Sequence, residues 1–175
     1  STILLSPNTA PVAVDDAYTV DEDSTLTIGA LGLLGNDTDA QGDSLTALLV
    51  TGVAHGTLAL QENGSFVYTP ESNYFGPDSF TYWASDGVLA SDPATVRITI
   101  TGVNDAPVLA PVEGQSVKEG EPLTFIAIAT DPDLPANSLI FSLEGAPLGS
   151  AVDPASGLFT WTPTEAQGPS VYNVT

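Results

Sequence analysis

The chain contains the segment Gly64-Ser65-Phe66-Val67-Tyr68-Thr69-Pro70, which returns 93 positions later as Gly157-Leu158-Phe159-Thr160-Trp161-Thr162-Pro163. In both copies an aromatic residue occupies every second position, the period-2 pattern of a β-strand with one buried face. A repeat over so long a distance in a chain of 175 residues predicts two consecutive units built on the same plan.

Four further matches occur in the same order and extend the repeat over most of the chain. Their offsets lie between 92 and 97 positions: residues 8–12 match 104–108, 20–26 match 117–123, 37–45 match 131–139, and 76–77 match 168–169. Because the offsets drift by only a few residues, we expect equivalent strands joined by loops of unequal length. We place a preceding linker at residues 1–9, a first domain at 10–103 and a second at 104–175.

Several segments of the first copy have the alternating pattern of β-strands. Residues 25–28 and 95–100 alternate, and the latter run places Val96, Ile98 and Ile100 on one face. Residues 65–68 and 79–82 are aromatic-rich, and Glu62-Asn63-Gly64 is a hairpin signal before the first of them. About seven short strands in roughly 95 residues are typical of an antiparallel β-sandwich. The predicted class is all-β, with two tandem Ig-like sandwiches.

The second copy ends early. Its last matched segment corresponds to the strand around Phe80, after which the first copy continues for about twenty residues. We therefore expect the second sandwich to lack one or two strands, either because the chain is a piece of a longer protein or because a partner supplies the strand. An unpaired strand edge of this kind readily pairs with another chain.

The composition excludes several classes of function. The chain has 22 acidic residues, two basic residues and a net charge of −20, yet 42% of its residues are apolar, which indicates a folded protein with an acidic surface. Nucleic acids and anionic membrane surfaces require Lys and Arg, and no apolar run reaches the roughly 20 residues of a membrane span. Without cysteine, a secreted domain must be held by its core, by metal, or by both.

Acidic residues from distant parts of the sequence are expected to meet where the two sandwiches join. We expect the first domain to gather Glu22, Asp86 and the linker pair Asn104-Asp105 at its lower end, and the second to present Asp131 and Asp133 at its upper end. Calcium prefers six to eight oxygen ligands of these types. Since no Lys or Arg is at hand to relieve the repulsion between the carboxylates, we predict Ca²⁺ there.

The string Val103-Asn104-Asp105-Ala106-Pro107, followed by Asp-x-Asp at 131–133, resembles the interdomain calcium joints of cadherins. The first copy more closely resembles the cadherin-like tandem repeats of large bacterial surface adhesins exported with RTX-type proteins. The second is similar to a dystroglycan-type cadherin-like module through residues 130–133 and 159–163. In the first copy, the resemblance rests on residues 34–39, 55–58, 64–70, 78–82 and 85–87.

The resemblance implies a set of calcium ligands and a setting for them. The implied ligands at the joint are Glu22, Asp86, Asn104, Asp105, Asp131 and Asp133, and Asp37 and Asp39 hold the Asp-x-Asp place of the first copy for a joint with a preceding domain. The resemblance also implies a rigid stalk for cell adhesion or biofilm formation, at the bacterial surface or secreted. The expected partners are adjacent repeats of the same chain, with a glycan or another cell-surface protein as further candidates.

Other interpretations compete with calcium. Trp83 falls out of phase with the inward residues Phe80 and Tyr82, and Tyr74 lies in a loop, so a calcium-dependent carbohydrate-binding module that stacks exposed aromatics on sugar rings is the alternative. Trp161 aligns with Tyr68 and is expected to be buried. For Asp43, Asp78 and Asp92, hydrogen bonding in turns and solubility are the favoured roles. No catalytic set is present, since a nucleophile–base site would depend on His55 alone, and we predict no enzyme.

Overall fold

The computed structural model describes residues 7–133 and 136–174. Residues 1–6 of the predicted preceding linker lie outside this range. The chain divides into two compact units, residues 1–103 and 104–175. The protein is all-β, as predicted, and its helical content in the described residues is limited to two short 3₁₀ turns. None of these helices is long and apolar enough to cross a membrane.

The described residues of the first unit form seven strands in two sheets. One sheet has the order β1-β7-β6-β3 and the other the order β2-β5-β4. The elements are β1 (Asp16–Asp21), β2 (Leu26–Ile28), a 3₁₀ turn (Leu33–Gly35), β3 (Thr46–Thr51), β4 (Gly56–Leu60), β5 (Phe66–Pro70), β6 (Gly76–Ser85) and β7 (Ala94–Thr101).

The core lies between the two sheets and follows the predicted alternation. Alternate aromatic side chains of β5 and β6 are at most 1% exposed, and those of Val96, Ile98 and Ile100 at most 2%, so both predictions are confirmed; the aromatic set is Phe66, Tyr68, Phe80 and Tyr82. The rings of Phe66 and Phe80 meet edge to face with their centroids 5.4 Å apart. Since each such side chain contributes roughly 1.5–3 kcal/mol on burial, this layer is the main source of stability.

The predicted hairpin joins β4 to β5 around Gly64. Leu60 pairs with Phe66 across it, and Gly64 has φ +80°. A Cβ at this position would lie 3.0 Å from Cγ of Leu34, so the turn needs glycine for its backbone conformation and for its packing. The hairpin therefore fixes the register that sends Phe66 and Tyr68 into the core.

The prediction of a purely antiparallel sandwich is wrong for one strand pair. β1 runs parallel to β7, in a register from Asp16 opposite Val96 to Asp21 opposite Thr101. The other edge of β7 is taken by β6, so β1 adds at the free edge before the chain crosses to the second sheet as β2. Parallel pairing needs a long connection, and almost the whole unit lies between these two strands.

The second unit repeats the β2–β5 pairing of the first unit in the same register, but its hairpin is one residue longer, since Val152 pairs with Phe159 where Leu60 pairs with Phe66. Leu123 pairs with Trp161 as Leu26 pairs with Tyr68, and Phe159 occupies the place of Phe66. Its sheets are β11-β12-β9 and β10-β8. The strands are β8 (Val108–Leu109), β9 (Leu123–Ile126), β10 (Ala129–Thr130), β11 (Ala151–Val152) and β12 (Leu158–Trp161), followed by a 3₁₀ turn (Glu165–Gln167).

The rest of the second unit lacks, in its described residues, several strands that the first unit has, and several of its apolar side chains are exposed. By the repeat offsets, residues 112–117, 140–145 and 168–174 correspond to β1, β3 and β6, and none of them forms a strand. Phe159 is buried, whereas Trp161, expected to be buried, is only half-buried. Several large apolar side chains are 61–92% exposed, among them Ile126, Ile140, Leu148 and Val171. A four-stranded sheet like that of the first unit is not present in the described residues of this unit.

Candidate metal centre

In the second unit, the β8–β10 pair brings the linker and the Asp-x-Asp loop together. Thr130, at the end of β10, pairs with Val108. The loop that begins at Asp131 therefore turns next to the residues that precede β8. As a result the amide of Asp105 donates to Oδ1 of Asp133 at 2.9 Å.

Three further hydrogen bonds shape this group of oxygen-bearing side chains. Oδ1 of Asp131 accepts from the amide of Asp133 at 3.0 Å. The side-chain amide of Asn137 donates to Oδ1 of Asn104 at 3.0 Å and to Oδ2 of Asp133. The four ligands predicted in this unit thus lie at one end of it, together with Asn137, which the sequence analysis did not single out. Asn137 falls just past the Asp-x-Asp loop, and that position is the signal that was available.

Glu22 is the predicted ligand that lies at the lower end of the first unit. It is 7% exposed. Its amide donates to the carbonyl of Thr101 at 2.9 Å, and its Oε1 accepts from the amide of Val103 at 2.7 Å. A buried carboxylate is thereby held against the last residue of the first unit, and Asn104 follows Val103 directly in the chain.

Asp86 does not join Glu22, so the expectation that the two converge is wrong. β6 starts opposite Ile100, close to Glu22, and Asp86 follows its far end, about 30 Å away at roughly 3.3 Å per residue. There Asp86 accepts from the side chain of Asn8 at 2.8 Å. Hydrogen bonds from the amides of Leu89 and Val88, and then from Asn8, lower the pKa of Asp86. Asp86 therefore belongs to the upper end of the first unit.

The Asp-x-Asp pair of the first unit, Asp37 and Asp39, lies at that upper end. The two residues differ in how fully their carboxylate oxygens are hydrogen-bonded. Both oxygens of Asp37 accept from the hydroxyl of Tyr82, at 3.1 and 3.0 Å, and Oδ1 also accepts from the amide of Val14. Oδ1 of Asp39 accepts from the amides of Gln41 and Asp43. Its Oδ2 is buried and has no partner among the described residues. Asp39 is thus the member with an oxygen to offer a cation.

Asp16 is a half-buried acidic group that was not predicted from the sequence. It faces the Tyr82 hydroxyl at 3.4 Å and accepts from Asn36. Burial, and then the charge of Asp37, raises the pKa of Asp16 to about 6. Burial also raises the pKa of Asp37. No local pattern marks Asp16, since its neighbour Asp15 pairs with Arg97 at 2.8 Å on the surface.

Asp78 has a structural role in the first unit. From the sequence, hydrogen bonding in a turn or solubility was the favoured role for this residue. It is 7% exposed and accepts from the amides of Ala54, His55 and Ser79 and from the hydroxyl of Tyr68, all at 2.8–2.9 Å. Burial acts to raise its pKa, but these hydrogen bonds outweigh that effect, and the pKa of Asp78 lies below its ordinary value. The available signal was its phase in β6, two residues before Phe80.

The two aromatic residues of the carbohydrate alternative differ in their surroundings. Trp83 points out of the sheet and is 39% exposed, as its phase predicted. Tyr74 stacks on His55 with ring centroids 4.0 Å apart, and its hydroxyl donates to the carbonyl of Pro77. Tyr74 precedes the start of β6 and Trp83 lies near its end, so they do not form one stacking platform.

The sequence profile of the bacterial cadherin-like domain matches residues 8–102, which is more than half of the chain and contains the whole set of seven strands. The chain belongs to the bacterial cadherin-like domain family. Domains of this family are in general not enzymes. The match ends where the second unit begins.

Other similarities are more distant. Integrin beta-like protein B of Dictyostelium discoideum is 26% identical over 161 residues, or 83% of this chain and 8% of that protein. The cadherin-like chain therefore spans less than a tenth of this relative. The structure of human CDH23 EC21-23 aligns with 89% of this chain and 59% of its own at 16% identity and a TM-score of 0.56, which shows a shared fold. An endo-fucoidan hydrolase of glycoside hydrolase family 107 aligns at 18% identity, a TM-score of 0.44, and 95% and 28% coverage.

Proposed function

We propose that this protein is a calcium-binding structural repeat of an extracellular bacterial adhesin, in which Ca²⁺ at the joints between repeats stiffens a stalk. The observation that carries the proposal is the hydrogen-bonded meeting of the linker residue Asp105 with Asp133 of the Asp-x-Asp loop. Membership of the cadherin-like family supports it, because cadherin-like domains are typically extracellular modules that bind calcium and serve adhesion.

The donor set fits calcium. The candidate ligands offer carboxylate and amide oxygens only, the donors that this hard cation prefers, with neither imidazole nor thiolate among them; they are Glu22, Asn104, Asp105, Asp131, Asp133 and Asn137. Arg97 is held by Asp15, so it does not neutralise them. Calcium would supply the positive charge that lets several carboxylates remain close together.

The two units divide these ligands in a way that suits a joint. Glu22 is held against Val103 in the first unit, and Asp105 is held against Asp133 in the second. Only Asn104 lies between Val103 and Asp105, the two residues whose amides anchor these groups. A cation that recruits both groups would restrict the linker, which is the physical basis of a stiff stalk.

The expected stabilisation is large enough to matter. Extracellular calcium modules bind with dissociation constants of roughly 10⁻⁴ to 10⁻³ M. At about 1 mM free calcium, roughly tenfold above the lower of these constants, each site adds about 1.4 kcal/mol, compared with roughly 5–15 kcal/mol for a typical domain. Low calcium inside a cell would then leave the chain loose for export, and millimolar calcium outside would stiffen it. This behaviour would suit a role at the bacterial surface, in adhesion or in biofilms.

Thermal unfolding in EDTA and across a calcium titration tests the proposal. We expect a rise of several degrees that saturates in the millimolar range and is largely lost in Asp105→Asn with Asp131→Asn. The matched control is Asp92→Asn, which removes one charge from an exposed residue outside the cluster. Asp86→Asn is a second control, because Asp86 lies at the other end of the first unit. An unfolding temperature that does not respond to calcium would refute calcium binding.

Small-angle scattering separates stiffening from simple binding. If calcium restricts the joint, adding it should narrow the distribution of interatomic distances in the wild type and leave that of the double variant unchanged. Equal distributions with and without calcium, in a protein whose unfolding temperature does respond, would keep calcium binding and reject the stalk.

A further inference from the structure

In the first unit, the first strand lies directly beside the last. β1 pairs in parallel with β7 over all six of its residues, and the pairing ends with Asp21 opposite Thr101. β1 has no other neighbour in its sheet among the described residues. One ladder of hydrogen bonds therefore connects the segment that enters this unit to the segment that leaves it.

The parallel direction of the two strands decides how a pulling force loads this ladder. β1 starts at the upper end of the unit, where Asp16 faces Tyr82, and it ends next to Glu22 at the lower end. β7 runs the same way and leads into the linker after Thr101. A force applied through the two ends of the unit draws β1 upward along its axis and β7 downward along its axis. Because ladder hydrogen bonds run between the strands, such a force shears all of them together instead of opening them one after another.

The lower end of the ladder is reinforced beyond the last residue of β1. The amide of Glu22 donates to the carbonyl of Thr101 at 2.9 Å, which adds one more hydrogen bond to the ladder. The hydroxyl of Thr101 donates to Oδ1 of Asp21. The carboxylate of Glu22 accepts from the amide of Val103 at 2.7 Å. The end of β7 that leads into the linker is thus held to β1 by backbone and side-chain groups.

At the upper end, one carboxylate connects the residue before β1 to β7. Oδ1 of Asp15 accepts from the amide of Thr95 at 2.8 Å, and Oδ2 accepts from the guanidinium of Arg97 at 2.8 Å. The hydrogen bond from Thr95, and then that from Arg97, lower the pKa of Asp15. Arg97 is one of only two basic residues in a chain of net charge −20. It lies across the ladder at the end where β1 is pulled.

The inner face of the ladder is packed into the core. The inward residues of β7 are at most 2% exposed. On β1, the ring of Tyr18 meets that of Phe66 edge to face with centroids 5.3 Å apart, and Val20 packs against the same core. Because the interior is close-packed, β1 cannot slide along β7 without displacing these side chains. Resistance to sliding therefore has an apolar component in addition to the hydrogen bonds.

We propose that the β1–β7 ladder is a load-bearing element, which makes the first unit resist unfolding when it is pulled by its two ends. The resistance depends on direction: it is high when the ladder is sheared and low when the strands are separated from one end. This mechanical property does not require calcium, and only its use in a stalk rests on the proposed function. A stalk that anchors a cell carries tension along its length, which is the direction that this ladder opposes.

Single-molecule force spectroscopy on the full chain, in EDTA, compares two pulling directions. With handles at the two termini, the ladder is sheared. With one handle moved to Ser24→Cys, an exposed position just after β1, the strands separate from the end at Thr101. The chain has no cysteine of its own, so this attachment is unique. Forced unfolding is governed by the unfolding rate, and we expect the unfolding force of the first unit to be at least about twofold higher in shear at the same pulling rate. The Ser24→Cys protein pulled by its termini is the matched control.

The length released identifies the event that belongs to the first unit. Unravelling residues 16–101 should lengthen the tether by about 27 nm, at roughly 3.3–3.6 Å per residue. Thr19 and Thr99 face each other on the outer side of the ladder. A disulfide in Thr19→Cys with Thr99→Cys should remove most of this length, and reduction should restore it.

Asp15→Ala tests the contact at the upper end. It should lower the unfolding force in shear and leave the force in the Ser24 direction unchanged, because that direction opens the ladder from the other end. An exposed ion pair adds little to equilibrium stability, so an effect in one direction only is not a general loss of stability. The matched control Glu62→Ala, which removes an exposed carboxylate from the hairpin of the other sheet, should change neither force.

The outcomes separate this inference from the proposal of calcium binding. Equal unfolding forces in the two directions, or an equal effect of Asp15→Ala in both, would overturn the load-bearing role whatever the response to calcium. A direction-dependent force in EDTA, in a protein whose unfolding temperature does not respond to calcium, would uphold the load-bearing role and reject calcium binding.

Discussion

Replacing Asp78 with asparagine probes the buried carboxylate that ties β6 to the turn before β4. Each oxygen of Asp78 accepts two hydrogen bonds: Oδ1 from Ala54 and Ser79, and Oδ2 from His55 and the Tyr68 hydroxyl. The asparagine amide keeps one accepting oxygen and turns its NH₂ toward two donors. The Tyr68 hydroxyl can rotate and accept from that NH₂, but a backbone N–H cannot.

The expected cost follows from these contacts. One backbone N–H donor is left unpaired, and it is that of His55 if the NH₂ takes the Oδ2 position. An unpaired buried donor costs about 1–3 kcal/mol of stability, and the remaining hydrogen bonds are no longer made to a charged group. We expect a loss of about 3 kcal/mol in the free energy of unfolding of the first unit. For a domain of this size, that is a fall of roughly 12–24 °C in the midpoint.

Urea and thermal unfolding of Asp78→Asn in a Trp161→Phe background measure this loss, because Trp83 then reports the first unit alone. The matched control Asp92→Asn changes an exposed aspartate and should alter stability by less than about 0.5 kcal/mol. The pKa of Asp78 is lowered in the folded state from 3.8. The carboxylate therefore stabilises the fold above pH 4 and loses this effect as the pH falls through the folded pKa. A loss below about 1 kcal/mol at pH 7, or an equal acid response in the variant, would refute the reasoning.

Three further substitutions test other parts of the first unit. Asp16→Asn should raise stability at pH 7 and change it little at pH 4, because a folded pKa of about 6 against 3.8 means that ionisation destabilises the fold as the pH rises between them; urea unfolding in EDTA at both pH values measures this. Ile98→Ala should cost roughly 2–5 kcal/mol by calorimetry, since Ile98 is 1% exposed and its loss leaves a cavity; a cost below about 1 kcal/mol would contradict that packing. Gly64→Ala should cost more than about 1 kcal/mol in the same assay, whereas Gly42→Ala, which has a similar φ but open space around it, should cost less.

Strand alternation could be predicted from the sequence because it is a local property. Val96, Ile98 and Ile100 share a face for the same reason that Phe80 and Tyr82 do, and burial confirms both sets. The repeat carried the same information into the second unit, where Leu123 opposite Trp161 reproduces the register of Leu26 opposite Tyr68. Asp78 was misassigned because residue type was weighed without its phase in β6.

The end of the sandwich at which a loop lies is not a local property. Asp86 was placed with Glu22 because the loops of a β-sandwich gather at its two ends, but the direction of β6 carries Asp86 to the opposite end, next to Asn8. That direction depends on how many strands precede β6 and on how they cross between sheets. The parallel β1–β7 pair escaped prediction for the same reason, since no short pattern distinguishes a parallel edge from an antiparallel one.

A comparison of the two units distinguishes the sheet that the local sequence can form from the sheet that needs the last strand, β7. The β2–β5 pair of the first unit has its equivalent in the second with the register intact. The hairpin of this sheet joins residues that are close in sequence, Leu60 with Phe66 in the first unit and Val152 with Phe159 in the second. The β1–β7 pair joins residues 80 apart, such as Asp16 and Val96, and closing so long a loop carries an entropic cost that the final strand must offset. In the second unit, which has no strand in that place among its described residues, the equivalent of β1 is unpaired and the apolar face stays open. The short-range sheet is therefore the part of this fold that stands without β7, and the four-stranded sheet is the part that β7 completes.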